Sequence, residues 1–234
     1  MFSVTKKSLV AAVALATAVP VLAAPTAYFT ASGVGSVGNP QTLSSTNNTA
    51  QSMIFELTFD FTTAVDNEAA PIVLWEMGAT GSGSALVLDG DDMHFFAGNN
   101  NAHVITAAHG LTAGATDVQI LSVYELNTSG TLETLSLYIN GNATPTTGDF
   151  DTANIWAGSD AGAVGSVAGN AGARFNGTSL FNSASVVNYP TNDIDLALYV
   201  LGGDNTVANI LVPEPSSLAL LGLGGMLIAR RRRG

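Results

Sequence analysis

Three aspartates crowd one Asp-Gly turn: Asp89, Asp91 and Asp92 stand on either side of Gly90. Carboxylates helped by backbone carbonyls are hard oxygen ligands of the kind calcium takes. Calcium is therefore the one cofactor that these residue types suggest. The twelve-residue EF-hand loop is absent, and an Asp-Gly turn is favoured on backbone grounds alone, because both residues accept positive φ. A second carboxylate pair, Asp193 and Asp195, sits at i and i+2 on one strand face. Glycoside hydrolysis needs two carboxyls about 5–5.5 Å apart to retain configuration, or about 6.5–9.5 Å apart to invert it. Asp193 and Asp195 can meet that spacing. Glu56 and Asp60 cannot, since four residues of strand at about 3.3 Å each hold them about 13 Å apart. Paired aspartates on a strand are more often its solvated side, and no catalytic residue is assigned.

The other chemistry-bearing residues point to structure. His94, His103 and His109 follow spacings that match no zinc pattern, and are expected to be surface or hydrogen-bonded structural histidines. Trp75 and Trp156 can stack on sugars, but in a β-sandwich aromatics more commonly fill the core. With no cysteine in 234 residues, a disulfide framework, a thiolate metal site and a cysteine nucleophile are excluded. No phosphate loop is present. A net charge of −11 leaves nothing to neutralise phosphates, so nucleic acid is not expected as a partner.

The basic residues are placed at the ends. Lys6 and Lys7 precede the apolar run Leu9–Ala16, which leads to Val21-Leu22-Ala23-Ala24. A short positive region, an apolar core and small residues at −3 and −1 make a secretory signal peptide. Cleavage at Ala23 fits better than at Ala24, which would place Pro25 at +1. At the other end, Val212-Pro213-Glu214-Pro215 is followed by an uncharged stretch from Leu218 to Ala229 and then by Arg230, Arg231, Arg232 and Arg233. As a helix, Val212 to Ala229 would measure roughly 27 Å at 1.5 Å per residue, close to a bilayer core of about 30 Å. The arginines would stay in the cytoplasm. The expected organisation is a signal peptide at 1–23, a body at 24–211 and a membrane-spanning sorting segment at 212–234.

The Pro-Glu-Pro tripeptide, the short Gly/Leu-rich span and the terminal arginine cluster together resemble the PEP-CTERM sorting signal of Gram-negative bacteria. The resemblance covers about the last 23 residues. It implies export by the secretion machinery, then recognition and cleavage by an exosortase, a transpeptidase-like membrane enzyme. It also implies release or attachment at the cell surface, often among exopolysaccharide and biofilm matrix.

The body holds 17 of the 18 acidic residues and a single basic one, Arg174, for a charge of −16. Its periodicity is that of strands. Phe55 to Phe61 alternates apolar and polar at every position. Leu132 to Ile139 and Asp193 to Val200 behave similarly. Ile72–Met77, Ala85–Leu88, Met93–Ala97, Val118–Leu126, Asn154–Ala157 and Val207–Leu211 are further strand candidates. Asp89-Gly90, Asn140-Gly141 and Asn176-Gly177 supply turns. The glycine-rich stretch from Gly158 to Gly172 reads as a mobile surface loop, because five interior glycines would cost a helix about 5 kcal/mol.

Many short strands with frequent turns predict an all-β fold, a single β-sandwich. The run Ile72–Gly78, the segment Ser84–Gly90, Val118–Leu126, the Leu137-Tyr138-Ile139-Asn140-Gly141 strand and turn, and Ile155–Gly158 together resemble laminin G-like, concanavalin A-like jelly rolls. The resemblance departs near Phe175-Asn176-Gly177, where the usual closing strand is not clear, and the Glu-x-Asp-x-x-Glu signature of concanavalin-type glucanases is absent. The expectation is an exported, non-enzymatic surface or matrix protein, carbohydrate-binding or structural within exopolysaccharide or biofilm; the alternatives are a glycoside hydrolase of the concanavalin-type sandwich and a purely structural surface protein without ligand.

Overall fold

The structure, a computed structural model, describes residues 25–37, 52–77, 84–97, 103–126, 133–142, 144–150, 162–166, 186–203 and 205–211. In chain order its strands are β1 (Phe29–Ser32), β2 (Gly35–Val37), β3 (Met53–Phe61), β4 (Ile72–Met77), β5 (Ser84–Asp89), β6 (Asp92–Ala97) and β7 (Val104–Ala108). They continue with β8 (Ala115–Leu126), β9 (Glu133–Ile139), β10 (Thr146–Phe150), β11 (Gly162–Val164), β12 (Val187–Asn188) and β13 (Ile194–Val200). Two short helices join them, α1 (Thr63–Asp66) and α2 (Val207–Leu211). One sheet runs β1-β13-β3-β8-β9-β10; the other runs β2-β11-β4-β5-β6-β7, with β12 beside β4. Every pairing is antiparallel except β12 with β4. The all-β sandwich expected from alternation is what the chain forms.

Alternation in β3 does the central work. Met53, Phe55, Leu57, Phe59 and Phe61 point inward and are buried, while Glu56, Thr58 and Asp60 point away from the core. Opposite them, β4 is buried at every residue. Its register against β5 shifts between Val73 and Trp75, so that both Leu74 and Trp75 join the core between the sheets. A bulge of this kind re-aims side chains at the cost of one ladder position. Trp75 stacks on Phe55 across the sandwich, with ring centroids 4.2 Å apart and planes 10° from parallel, and Phe95 meets Phe55 edge-on at 6.5 Å. Trp75 is therefore a core residue. Trp156 lies outside the described residues.

Two ties supplement the core. Tyr189, after β12, packs edge-on against Phe59 and donates its hydroxyl to the carbonyl of Asp60, linking the sheets at one end. At one side, β10 and β7 close together: a Cβ on Gly148 would lie 2.6 Å from Ile105 Cγ2, so only glycine permits that approach. His103 stacks on Phe150 at 4.4 Å along the same seam.

Two expectations need correction. Val207–Leu211 is helix α2 rather than a strand: its apolar residues cap the outer face of the first sheet over Ile54, Leu121, Val123 and Tyr199. Within the stretch read as a mobile loop, Gly162–Val164 is a buried strand, paired with both β2 and β4. Met77 Cγ would lie 2.9 Å from a Cβ on Gly162, so here glycine serves close packing. The strand expected at Asn154–Ala157 and the turn at Asn176-Gly177 lie outside the described residues. Among the described residues no helix is long and apolar enough to cross a membrane, and the segment 212–234 lies outside them.

The indole Nε1 of Trp75 is buried without a hydrogen-bond partner, and such a group costs about 1–3 kcal/mol. Trp75→Phe removes that unpaired donor and keeps a ring against Phe55, whereas Trp75→Ala empties the site. Chemical denaturation is expected to show Trp75→Ala losing about 3–5 kcal/mol and Trp75→Phe losing less than half as much. Equal losses would contradict the inter-sheet stack as the anchor of the core.

Candidate functional site

The body's two ends are held side by side. Asn205 accepts a hydrogen bond from the Thr26 amide (2.9 Å) through its side-chain oxygen, and donates to the carbonyls of Thr26 (3.2 Å) and Val200 (3.1 Å). A few residues on, α2 is pinned to the sheet. Gln119 donates from Nε2 to Glu56 Oε1 (2.6 Å) and to the Ile210 carbonyl (3.1 Å), and Tyr199 donates its hydroxyl to Glu56 Oε2 (2.7 Å). Burial, with the Glu56 carboxylate beside it, pushes the Tyr199 phenol well above its ordinary range. Glu56 is thus a structural acceptor. Residues 26 and 205 touch, so these two parts of the described chain lie side by side, and the packed structure reaches Leu211. Ala23, Ala24, Val212, Pro213, Glu214, Pro215 and Arg230–Arg233 lie outside the described residues.

The Asp-Gly turn is where the sequence places it. Asp89 pairs with Asp92 across the β5–β6 hairpin, with Gly90 at φ 58. Asp91 and Asp92 are exposed, and Asp89 is half-buried. Among the described residues no three acidic or histidine side chains converge as a metal site. The backbone of the turn also anchors the neighbouring His109 loop. The Asp91 carbonyl accepts from the His109 amide (2.9 Å), and His109 Nε2 reaches the Gly90 carbonyl at 3.1 Å.

All three histidines are buried with partners, as expected of structural residues. His109 Nδ1 accepts from the Leu111 amide at 2.9 Å, so Nε2 carries the proton toward Gly90; its ring lies 5.0 Å from Phe61. His94 bonds Thr106 Oγ1 at 2.8 Å. Burial holds its pKa below the ordinary 6.5, against the opposing pull of Asp89 and Asp92.

Among the clefts that the described residues line with polar side chains, two gather the residues of interest. The first lies where β7 of one sheet meets β9 and β10 of the other. It has a volume of about 190 Å³, a floor of Ala107, Leu137 and Ile139, and a rim of Asn140, Asn142, Thr144 and Thr146 facing the His109–Leu111 loop. The rim follows from its turn: Asn140 (φ 50) and Gly141 (φ 74) both take positive φ, and the Asn142 amide closes on the Ile139 carbonyl at 3.0 Å. Asn142 Oδ1 then accepts from the Thr144 amide at 3.0 Å. None of its described lining residues carries a charged side chain. The Asn-Gly turn was legible in the sequence, but its partnership with residues 107–111 was not, because it arises only when the two sheets meet.

The second cleft, about 250 Å³, gathers Asp60, Asp117, Asp193 and Asp195 with Asn192. The structure thus brings the Asp193–Asp195 pair together with two further carboxylates. Three of the four are exposed and Asp60 is half-buried. Asp60 Oδ1 accepts from the Asp117 amide at 3.0 Å. Glycosidase chemistry asks that one carboxyl be kept protonated by its surroundings, and this cleft is open to water.

Residues 211–233 match the family model of the PEP-CTERM protein-sorting motif. The motif indicates an exported protein processed at the membrane, and implies exosortase processing. A search of curated proteins found no match. Among solved structures, NanB with Optactamide is similar at a TM-score of 0.50 and 13% identity, over 80% of this chain and 28% of that one. The CBM40 of the Ruminococcus gnavus IT-sialidase, bound to α2,3-sialyllactose, gives 0.46 and 10%, over 80% of this chain and all (100%) of that one. The receptor-binding domain of botulinum neurotoxin D gives 0.46 and 14%, over 78% and 46%. The chain thus spans well under two thirds of the NanB chain, and at these identities the likeness concerns the fold alone.

His94 supplies a pH signature. Its pKa is lower folded than unfolded, so its contribution to stability is fully present above about 6.5 and is lost as pH falls below that value, where the unfolded chain binds the extra proton. Melting temperature is expected to drop between pH 7.5 and 5, and to drop less in His94→Gln. A variant with the wild-type slope would contradict the burial argument.

Proposed function

We propose that this chain is an exported, non-enzymatic cell-surface or matrix protein that binds glycan through the cleft between β7 and β10. The observation that carries the reading is the lining of that cleft: amide and hydroxyl side chains over an apolar floor, without charge. Sugars present hydroxyls that donate and accept together with apolar C–H faces, and this lining offers both. A volume of 190 Å³ is below the roughly 300–1,000 Å³ of pockets for drug-sized ligands, which suits one sugar ring of a longer chain. Its setting is the proposed order of signal peptide (1–23), sandwich body (24–211) and sorting segment (212–234). In a Gram-negative host the sorting segment holds the protein in the inner membrane until an exosortase cuts it. The adjacency of Thr26 and Asn205 supports both membrane segments leaving one end of the body. Exopolysaccharide is the partner this setting offers.

The test is calorimetric titration of residues 24–211 with the host's exopolysaccharide, in calcium and then in excess chelator. Saturable binding is expected. In the double variant Asn140→Ala/Thr146→Ala it should weaken about tenfold or more, since two uncharged hydrogen bonds at about 0.5–1.5 kcal/mol each are lost. Loss of binding in chelator would assign calcium to the Asp89, Asp91 and Asp92 turn; unchanged binding would remove calcium from the account. No binding in either condition would leave a structural protein without ligand. The acidic cleft keeps a hydrolytic reading in view. Sugar release that disappears in Asp193→Asn or Asp195→Asn would replace the non-enzymatic one.

Processing has its own readout. In the host, Pro213→Ala/Pro215→Ala is expected to accumulate as uncut, membrane-bound precursor. Normal maturation of that variant would contradict the exosortase route.

A further inference from the structure

We infer that the β7–β10 cleft selects uncharged glycans and excludes acidic ones such as sialic acids and uronates, an inference that rests on the glycan-binding reading above. A sugar carboxylate that gives up water needs a cation or a set of converging N–H groups in return. Among the described residues the cleft supplies no cation, and few free N–H groups. The described residues contain no lysine or arginine, and residues 24–211 as a whole contain only Arg174.

Most of the described backbone donors around the cleft are already committed. His109 spends Nδ1 on the Leu111 amide, which fixes Nε2–H toward the Gly90 carbonyl. The amide of His109 is given to the Asp91 carbonyl and that of Asn140 to the Gln119 carbonyl. The amide of Asn142 goes to Ile139, and that of Thr144 to Asn142 Oδ1. Pro145, between the rim threonines, has no N–H to offer. A rim with these backbone donors spent is poorly suited to forming an anion-binding nest.

What stays available includes the side-chain amide of Asn140, the Nδ2 of Asn142 and the hydroxyls of Thr144 and Thr146. Together these groups donate and accept, as sugar hydroxyls do. The surrounding body carries a charge of −16, which adds a long-range bias against anions.

The experiment uses the full chain in detergent against matched pairs of immobilised glycans. The pairs are lactose with α2,3-sialyllactose, and neutral gluco-, galacto- and manno-configured polymers each with its carboxymethylated form. Binding is expected to at least one neutral member, with its carboxylated partner about tenfold or more weaker. The gap should persist at about 1 M salt, where the Debye length is about 3 Å, because it comes from a missing partner and not from distant repulsion. Thr144→Lys, which adds a cation at the rim, is expected to narrow the gap. A carboxylated member that binds as tightly as its neutral partner, or a gap that vanishes in high salt, would overturn the inference and leave the glycan-binding reading standing. No binding to any member, neutral or acidic, would overturn both.

Discussion

The contact of Phe55 with Trp75 is the interaction on which the rest of the sandwich depends. The two rings belong to different sheets and lie nearly parallel at 4.2 Å, which fixes how the sheets face one another at their centres. The contact exists because β4 carries a bulge: without the register shift between Val73 and Trp75, strict alternation would turn either Leu74 or Trp75 out of the core. Offset aromatic stacks contribute about 0.5–1.5 kcal/mol beyond the area they bury, and stack and buried area together offset the unpaired indole N–H. Leu57, Leu86, Leu137 and Leu196 fill in around this pair.

Once the sheet centres are fixed, the edges have to be closed. On one side this falls to β7 and β10, which approach so closely that position 148 must be glycine. Towards the end of that seam the strands part into the His109–Leu111 loop and the Asn140-Gly141 turn, and the uncharged cleft is the space between. The His109 clamp, bonded on both ring nitrogens, holds one wall still. At the opposite face of the first sheet, α2 covers an apolar patch that would otherwise meet water. The sorting motif starts at the last residue of that helix, so folding of the body and presentation of the motif share a residue.

The sequence disclosed whatever rests on local periodicity. β3, β4, β9 and β13 were legible from alternation or from a short apolar run between turns, and the hairpins at Gly90 and Gly141 from their dipeptides. Val207–Leu211 was misread because a five-residue apolar run carries no period that separates strand from helix; only the sheet face beneath it decides. β11 was hidden among glycines, of which Gly162 packs closely against Met77 and Val37. β1, β2 and β12 are too short to show a pattern. β7 and β10, rich in Ala, Thr and Gly, lack the apolar contrast that marks a strand. The cleft they build was therefore not legible, although one residue of its rim, Asn140, stood in the Leu137–Gly141 strand and turn. The acidic cleft was half legible: Asp193 and Asp195 showed as a pair, while Asp60 and Asp117 join them only through the pairing of β3 with β8 and β13.

The most direct test is a two-dimensional NMR titration of the isotope-labelled body with a neutral oligosaccharide cut from the host's matrix. It follows backbone amides together with the side-chain amides of Asn140 and Asn142. Saturable shifts confined to residues 107–111 and 140–146, with the Asn140 side chain among the largest, are the predicted result. Shifts centred on Asp60, Asp117, Asp193 and Asp195, or no shifts at saturating ligand, would contradict the account.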